Sequence, residues 1–139
     1  MLNVLFLCTG NSCRSQMAEG FVNHDFAGKI HAESAGTKPS VLNKNAIKVM
    51  EEIGIDISRN TVNSPDDFQD VEFDYIITLC EHARETCPLF LSERPSKRIH
   101  MGFPDPALFT GSEEEIVEGF RKVRDDIRKK LLEFFGSFS

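Results

Sequence analysis

The stretch Val4-Leu5-Phe6-Leu7-Cys8-Thr9-Gly10-Asn11-Ser12-Cys13-Arg14-Ser15 decides how this chain of 139 residues folds. Leu2 to Leu7 reads as a buried strand of a parallel sheet, apolar throughout except for Asn3 and unbroken from Val4 to Leu7. It stops abruptly at Cys8-Thr9-Gly10-Asn11. Helical spacing then takes over in Met17, Ala18, Phe21, Val22 and Phe26, and Gly28 can end that helix.

Working outward, Ile30 to Ala35 reads as a second strand that breaks at Gly36, Pro39 and Ser40. Ala46, Val49, Met50 and Ile53 mark a helix closed by Gly54. Asp74 to Leu79 is a third strand with Cys80 at its carboxyl end, and residues 81–97, charged and holding two prolines, read as a loop. Arg98 to Met101 is a short last strand. Ile116, Val117, Phe120, Val123, Ile127 and Leu131 form the apolar face of a long helix, with Ser112 as N-cap and Glu115 completing a capping box. The order predicts a single α/β domain over 1–139, a three-layer sandwich with a four-stranded parallel sheet and helices on both faces. Ligands of such sheets bind beyond the carboxyl ends of the strands. Cys8 and Cys80 stand at two such ends and can converge.

The net charge of −6 argues against nucleic acid or an anionic membrane as partner. The first apolar run is too short for a signal sequence or a membrane span, so a cytoplasmic protein is expected, most simply a monomer. In that compartment Cys8, Cys13, Cys80 and Cys87 start as thiols, and their spacing suggests catalysis, redox relay or metal rather than structural staples. Cys80, His82 and Cys87 are too few and too poorly spaced for zinc. His24, His31 and His100 read as surface or helix-end residues with no partner in view. Arg84, Glu85 and Arg94 read as solvated charge. Phe134, Phe135 and Phe138 read as the core face of the last helix followed by a frayed end.

The motif itself is a cysteine, five residues, an arginine and a serine. A strand-to-helix loop of this length turns its N–H groups inward and makes a nest for a tetrahedral oxyanion. Gly10 is expected to supply the backbone freedom of the turn. Arg14 can return a planar guanidinium to two oxygens of the same anion. Cys8 lies at the floor of this positive cup, a setting that lowers cysteine pKa values to about 3.5–7.5, and Ser15 can donate to its sulfur. Thr9, Gly10, Asn11, Ser12, Cys13, Arg14 and Ser15 are therefore the expected anion-binding residues, with the Cys13 side chain turned toward the core. Asn11 and Ser34 are expected to brace the loop.

The stretch Val4 to Gly20 resembles the start of the thioredoxin-coupled arsenate reductases, which share their fold with low-molecular-weight protein tyrosine phosphatases. The resemblance continues through Glu33-Ser34-Ala35-Gly36-Thr37, Gly54-Ile55-Asp56-Ile57-Ser58 and Thr78-Leu79-Cys80 to Asp105-Pro106-Ala107. It implies that Cys8 attacks arsenate, and that Asp105, in its Asp-Pro pair, serves as general acid. It implies that Cys80 and then Cys87 carry the oxidation outward, and that thioredoxin, a glutaredoxin or a low-molecular-weight thiol reduces the final disulfide. No metal or organic cofactor is required. Some members bind potassium behind the loop; Asn11, Glu19 and Ser34 match three of those positions, but Asn63 stands where those members carry an acidic residue. The enzyme alternative is a low-molecular-weight phosphatase. Against it, Ala107-Leu108-Phe109 follow the Asp-Pro pair in place of the usual tyrosines, and the one tyrosine is Tyr75. The non-enzymatic alternative is an anion-binding or redox-sensing module.

Overall fold

The computed structural model describes residues 1–80, 83 and 96–136. Strand β1 (Leu2–Cys8) leads into helix α1 (Arg14–Asp25), β2 (Ile30–Gly36) into α2 (Lys44–Glu51), and β3 (Tyr75–Thr78) and β4 (Lys97–His100) precede the long α3 (Glu113–Phe135). All the pairings are parallel, in the order β2-β1-β3-β4. This is the expected α/β architecture with its four-stranded sheet. The connection between β3 and β4, including the expected loop, lies largely outside the described residues.

β1 is central. It pairs with β2 from Leu2↔Ile30 to Cys8↔Gly36 and with β3 from Val4↔Tyr75 to Leu7↔Thr78. Val4, Leu5, Phe6 and Leu7 are all fully buried, each worth about 1.5–3 kcal/mol against exposure. That is why the run lacks the polar alternation of a half-exposed strand. α1 is buried on every side from Arg14 to Val22, so the polar Ser15, Gln16 and Glu19 lie inside the protein. α1, α2 and α3 pack on one another. Arg124 of α3, itself buried, donates from Nη1 to the Val49 carbonyl of α2 at 2.9 Å.

The helix ends follow local chemistry. Asn43 caps α2 by accepting from the Asn45 and Ala46 amides, and Gly54 takes φ +81° beyond its end. Ser112 and Glu115 form the expected capping box. A second box, Ser64 with Asp67, opens a short 3-10 helix at Pro65–Phe68, and another 3-10 turn spans Pro106–Leu108. The last strand begins one residue earlier than its apolar pattern suggested; Met101 lies past its end, yet its amide still donates to the Thr78 carbonyl at 2.8 Å.

Phe134 and Phe135 stack edge-on against Tyr75, and Phe135 against Phe26; Phe138 lies outside the described residues. The three histidines left without partners by the sequence all have one: His24 meets Asp25 at 3.1 Å, His31 meets Glu33 at 2.8 Å and His100 meets the Thr78 hydroxyl at 2.9 Å. Among the described residues no helix is long and apolar enough to cross a membrane.

Candidate active site

The anion loop starts where β1 ends. Cys8 is buried there, with the Ser15 hydroxyl 2.9 Å and the Asn11 amide nitrogen 3.3 Å from its sulfur. Both can donate to Sγ. α1 begins at Arg14 with no side-chain cap, leaving its first amides free for an anion.

The left-handed residue of the loop is Asn11, φ 53°, and not Gly10, whose φ is outside that region. A Cβ on Gly10 would meet the Ser12 hydroxyl and the Ser40 Cβ at 3.4 and 3.5 Å, close to ordinary contact. Asn11 tolerates the conformation because its side chain is fully engaged. Its Nδ2 donates to Ser15 Oγ at 2.7 Å and to Ser34 Oγ at 2.8 Å. Its Oδ1 accepts from Gln16 Nε2 at 3.2 Å and from the Asn63 amide at 2.8 Å. Ser34 donates onward to Glu19 Oε1 at 2.8 Å. Ser15 thus accepts from Asn11 and keeps its own hydrogen for Cys8. Burial raises the Glu19 carboxyl to about 7 against the opposing pull of the Ser34 hydroxyl.

The residues matched to a potassium site come together, but not as a converging set of oxygens. Asn11 turns its NH₂ toward Ser34, and Asn63 Nδ2 donates to the Ser34 carbonyl at 3.1 Å. Glu19 is the one carboxylate in this group. As arranged, these residues do not fit a hard cation, which needs several oxygens aimed at one point.

A cavity of about 260 Å³ opens over the loop, walled by Cys8, Cys13, Arg14, Lys38, Ser40 and Asp105 among others. A larger one, about 720 Å³, lies at the amino ends of the strands among Asn3, Asp74 and Lys97. Among the described residues no cysteine and no arginine lines it, so the thiol chemistry belongs to the smaller one, which holds Cys8 and Arg14. Arg14 Nη1 donates to the Phe103 carbonyl at 3.1 Å, and Nη2 stands 3.6 Å from Asp105 Oδ2. Asp105 Oδ1 accepts from the Ala107 amide at 3.0 Å, so this aspartate is both a helix cap and a wall of the cavity. Cys13 is buried, and burial pushes its thiol up to about 11, partly opposed by the Ser12 hydroxyl. It therefore stays protonated at neutral pH.

Cys80 meets the loop from β3. Its sulfur is 3.3 Å from Thr9 Oγ1 and 3.4 Å from the Ala83 amide that donates to it. Parallel pairing of β1 with β3 creates this neighbourhood. Cys8, Cys13 and Cys80 are all free thiols. Cys87 lies outside the described residues, as do His82, Arg84, Glu85 and Arg94. Sequence reasoning missed Lys38, Ser40 and Gln16. The first two sit just after the break at Gly36, where nothing in composition separates them from an exposed turn.

Residues 3–139 match the family described as low molecular weight phosphotyrosine protein phosphatase. An arsenate reductase from Halalkalibacterium halodurans is 45% identical over 131 residues, spanning 94% of this chain and 93% of that one. An arsenate reductase from Bacillus subtilis is similar to the same extent, 45% over 131 residues with the same coverage. Among solved structures, an arsenate reductase in the phosphate binding state superposes with a TM-score of 0.84 at 34% identity, covering all of both chains.

Proposed function

The chain belongs to the low molecular weight phosphotyrosine protein phosphatase family, and from that premise we propose that it reduces arsenate to arsenite through a thiol relay. One observation carries the choice of reduction over hydrolysis: a second thiol, Cys80, rests against Thr9, the residue after the loop cysteine, 3.3 Å from its hydroxyl. Hydrolysis of a cysteinyl intermediate uses water and does not require a second thiol there, whereas reduction does. The similarity to arsenate reductases over 94% of the chain points the same way.

The Cys8 thiolate attacks arsenic(V), held by the loop amides and Arg14, and one oxygen leaves as water with the proton of Asp105. The Cys80 thiolate then attacks the Cys8 sulfur. The sulfur–arsenic bond breaks, its electron pair stays on arsenic, and arsenite departs from a Cys8–Cys80 disulfide. Cys87 attacks Cys80, frees Cys8 as thiolate and leaves a Cys80–Cys87 disulfide. A dithiol reductant of the thioredoxin type restores the enzyme, with a glutaredoxin or low-molecular-weight thiol as substitute. The chemistry needs no metal or organic cofactor, and a reducing compartment, the cytoplasm, suits it.

The test is arsenate-dependent NADPH consumption with thioredoxin and thioredoxin reductase, for wild type, Cys80→Ser and Cys87→Ser. Turnover by wild type that stops in both variants supports the relay. A wild type that ignores arsenate and cleaves an aryl phosphate overturns it. The second reading, aryl phosphate hydrolysis, is favoured by the position of Asp105 in the cavity wall and predicts an activity that survives Cys80→Ser.

A further inference from the structure

We propose that Lys38 is a second cationic anchor for the oxyanion, capturing it at the mouth of the loop, a role that rests on the arsenate reading above. The residues after β2 form a strap laid along the anion loop. The Thr37 amide donates to the Cys8 carbonyl at 3.0 Å, the Lys38 amide to the Thr9 carbonyl at 2.8 Å, and the Ser40 amide to the Gly10 carbonyl at 2.9 Å. The approach is so close that a Cβ on Gly36 would stand 2.6 Å from the Asn11 nitrogen and the Thr9 oxygen. The Lys38 backbone is thereby fixed to the residue that follows the nucleophile. Lys38 is among the residues that line the cavity with Cys8 and Arg14, and its exposed side chain is free to reach the mouth.

The charge balance of the cavity gives that ammonium a purpose. Arg14, the other cation there, is partly committed: it bonds the Phe103 carbonyl and faces Asp105. Lys38 is exposed and makes no ion pair among the described residues. The protein as a whole carries −6 and repels a dianion. A lysine is a compact charge on a flexible stem, suited to meeting an arriving oxyanion while the planar Arg14 clamps it. Because it touches oxygens that are charged before and after the reaction, it strengthens substrate and transition state alike.

The experiment compares wild type with Lys38→Met, Lys38→Arg and Lys38→Glu, all at an exposed position where folding is undisturbed. Inorganic phosphate binding is measured by titration calorimetry at low and high salt, and arsenate turnover by steady-state kinetics. For Lys38→Met the phosphate Kd and the arsenate KM rise together by roughly tenfold, and kcat holds. Lys38→Arg recovers most of the loss, Lys38→Glu deepens it, and the salt dependence of binding flattens in the Met variant. If wild type binds phosphate and Lys38→Met binds it equally well, Lys38 is only a solvated charge and the proposal falls. If phosphate binding follows Lys38 but wild type never reduces arsenate, the capture role stands and the arsenate reading falls. If wild type binds neither oxyanion, both fall.

Discussion

The Arg14 guanidinium and the Asp105 carboxylate face each other at 3.6 Å across the mouth of the anion loop. The group proposed to clamp the anion thus leans on the group proposed to supply the proton. An arriving oxyanion competes with Asp105 for Arg14 and leaves that carboxyl beside the departing oxygen. For Asp105→Asn, steady-state kinetics should show kcat falling by about 100-fold or more, with KM for arsenate no higher, since a neutral amide does not repel the anion. An unchanged kcat leaves Asp105 as a cap of Pro106–Leu108 and nothing more.

The Thr9 hydroxyl is the direct link between the loop and Cys80. Thr9→Val keeps the shape and removes the bond, a loss of about 1 kcal/mol. Disulfide formation in a single turnover, followed as loss of free thiols, should slow about fivefold while phosphate binding stays unchanged. Equal rates would mean that the hydroxyl does not position Cys80.

Asn11 combines a left-handed backbone with four side-chain hydrogen bonds, three of them buried. Asn11→Ala removes one hydrogen bond from each of Ser15, Ser34 and Gln16 and leaves the Asn63 amide without its acceptor, and should lower unfolding free energy in urea by about 3 kcal/mol. Asn11→Gly loses the same bonds but carries no penalty for the positive φ, so it should be the more stable of the two by about 1 kcal/mol. Identical midpoints for the two variants would show that the backbone conformation stores no strain.

Glu19 makes stability depend on pH. Its folded-state value, about 7, lies above the ordinary 4.5, so the native protein holds this proton more tightly than the unfolded chain does. The contribution is complete below about 4.5 and declines as pH rises through about 7, by at most about 3 kcal/mol. Urea midpoints at about pH 5 and about pH 8 should differ less for Glu19→Gln than for wild type. A variant with the undiminished difference would place the pH dependence elsewhere.

Much of this was legible in the sequence. α2 and α3 announce themselves because burial follows their helical period and because Gly54 and Ser112 punctuate them, and β1 because its buried run is continuously apolar; α1, buried on every side, shows its period only in Met17, Ala18, Phe21 and Val22. The cysteine-to-arginine spacing located the loop, and the ends of β1 and β3 located Cys8 and Cys80. What escaped depends on contacts between distant residues. Gly10 looked like the flexible point of the loop, yet Asn11 takes the left-handed turn, because Ser34 and the Asn63 amide come from other parts of the chain to hold its side chain. Lys38 reads as surface charge until backbone bonds to Thr9 fix its place. The 3-10 turns are too short to show a period.

The β2-β1-β3-β4 order has a consequence for how the protein is made. β1 is synthesised first, but its neighbour on the Cys80 side arrives some 70 residues later, as the separation of 71 between Thr9 and Cys80 records. Pairings between such distant segments form slowly, since a long loop must close before any contact rewards it. A chain that ends before β3 therefore carries Cys8 without its relay partner Cys80. The Cys8–Cys80 couple comes into being only with the finished sheet, whereas Cys8 and Cys13 share the loop from the start.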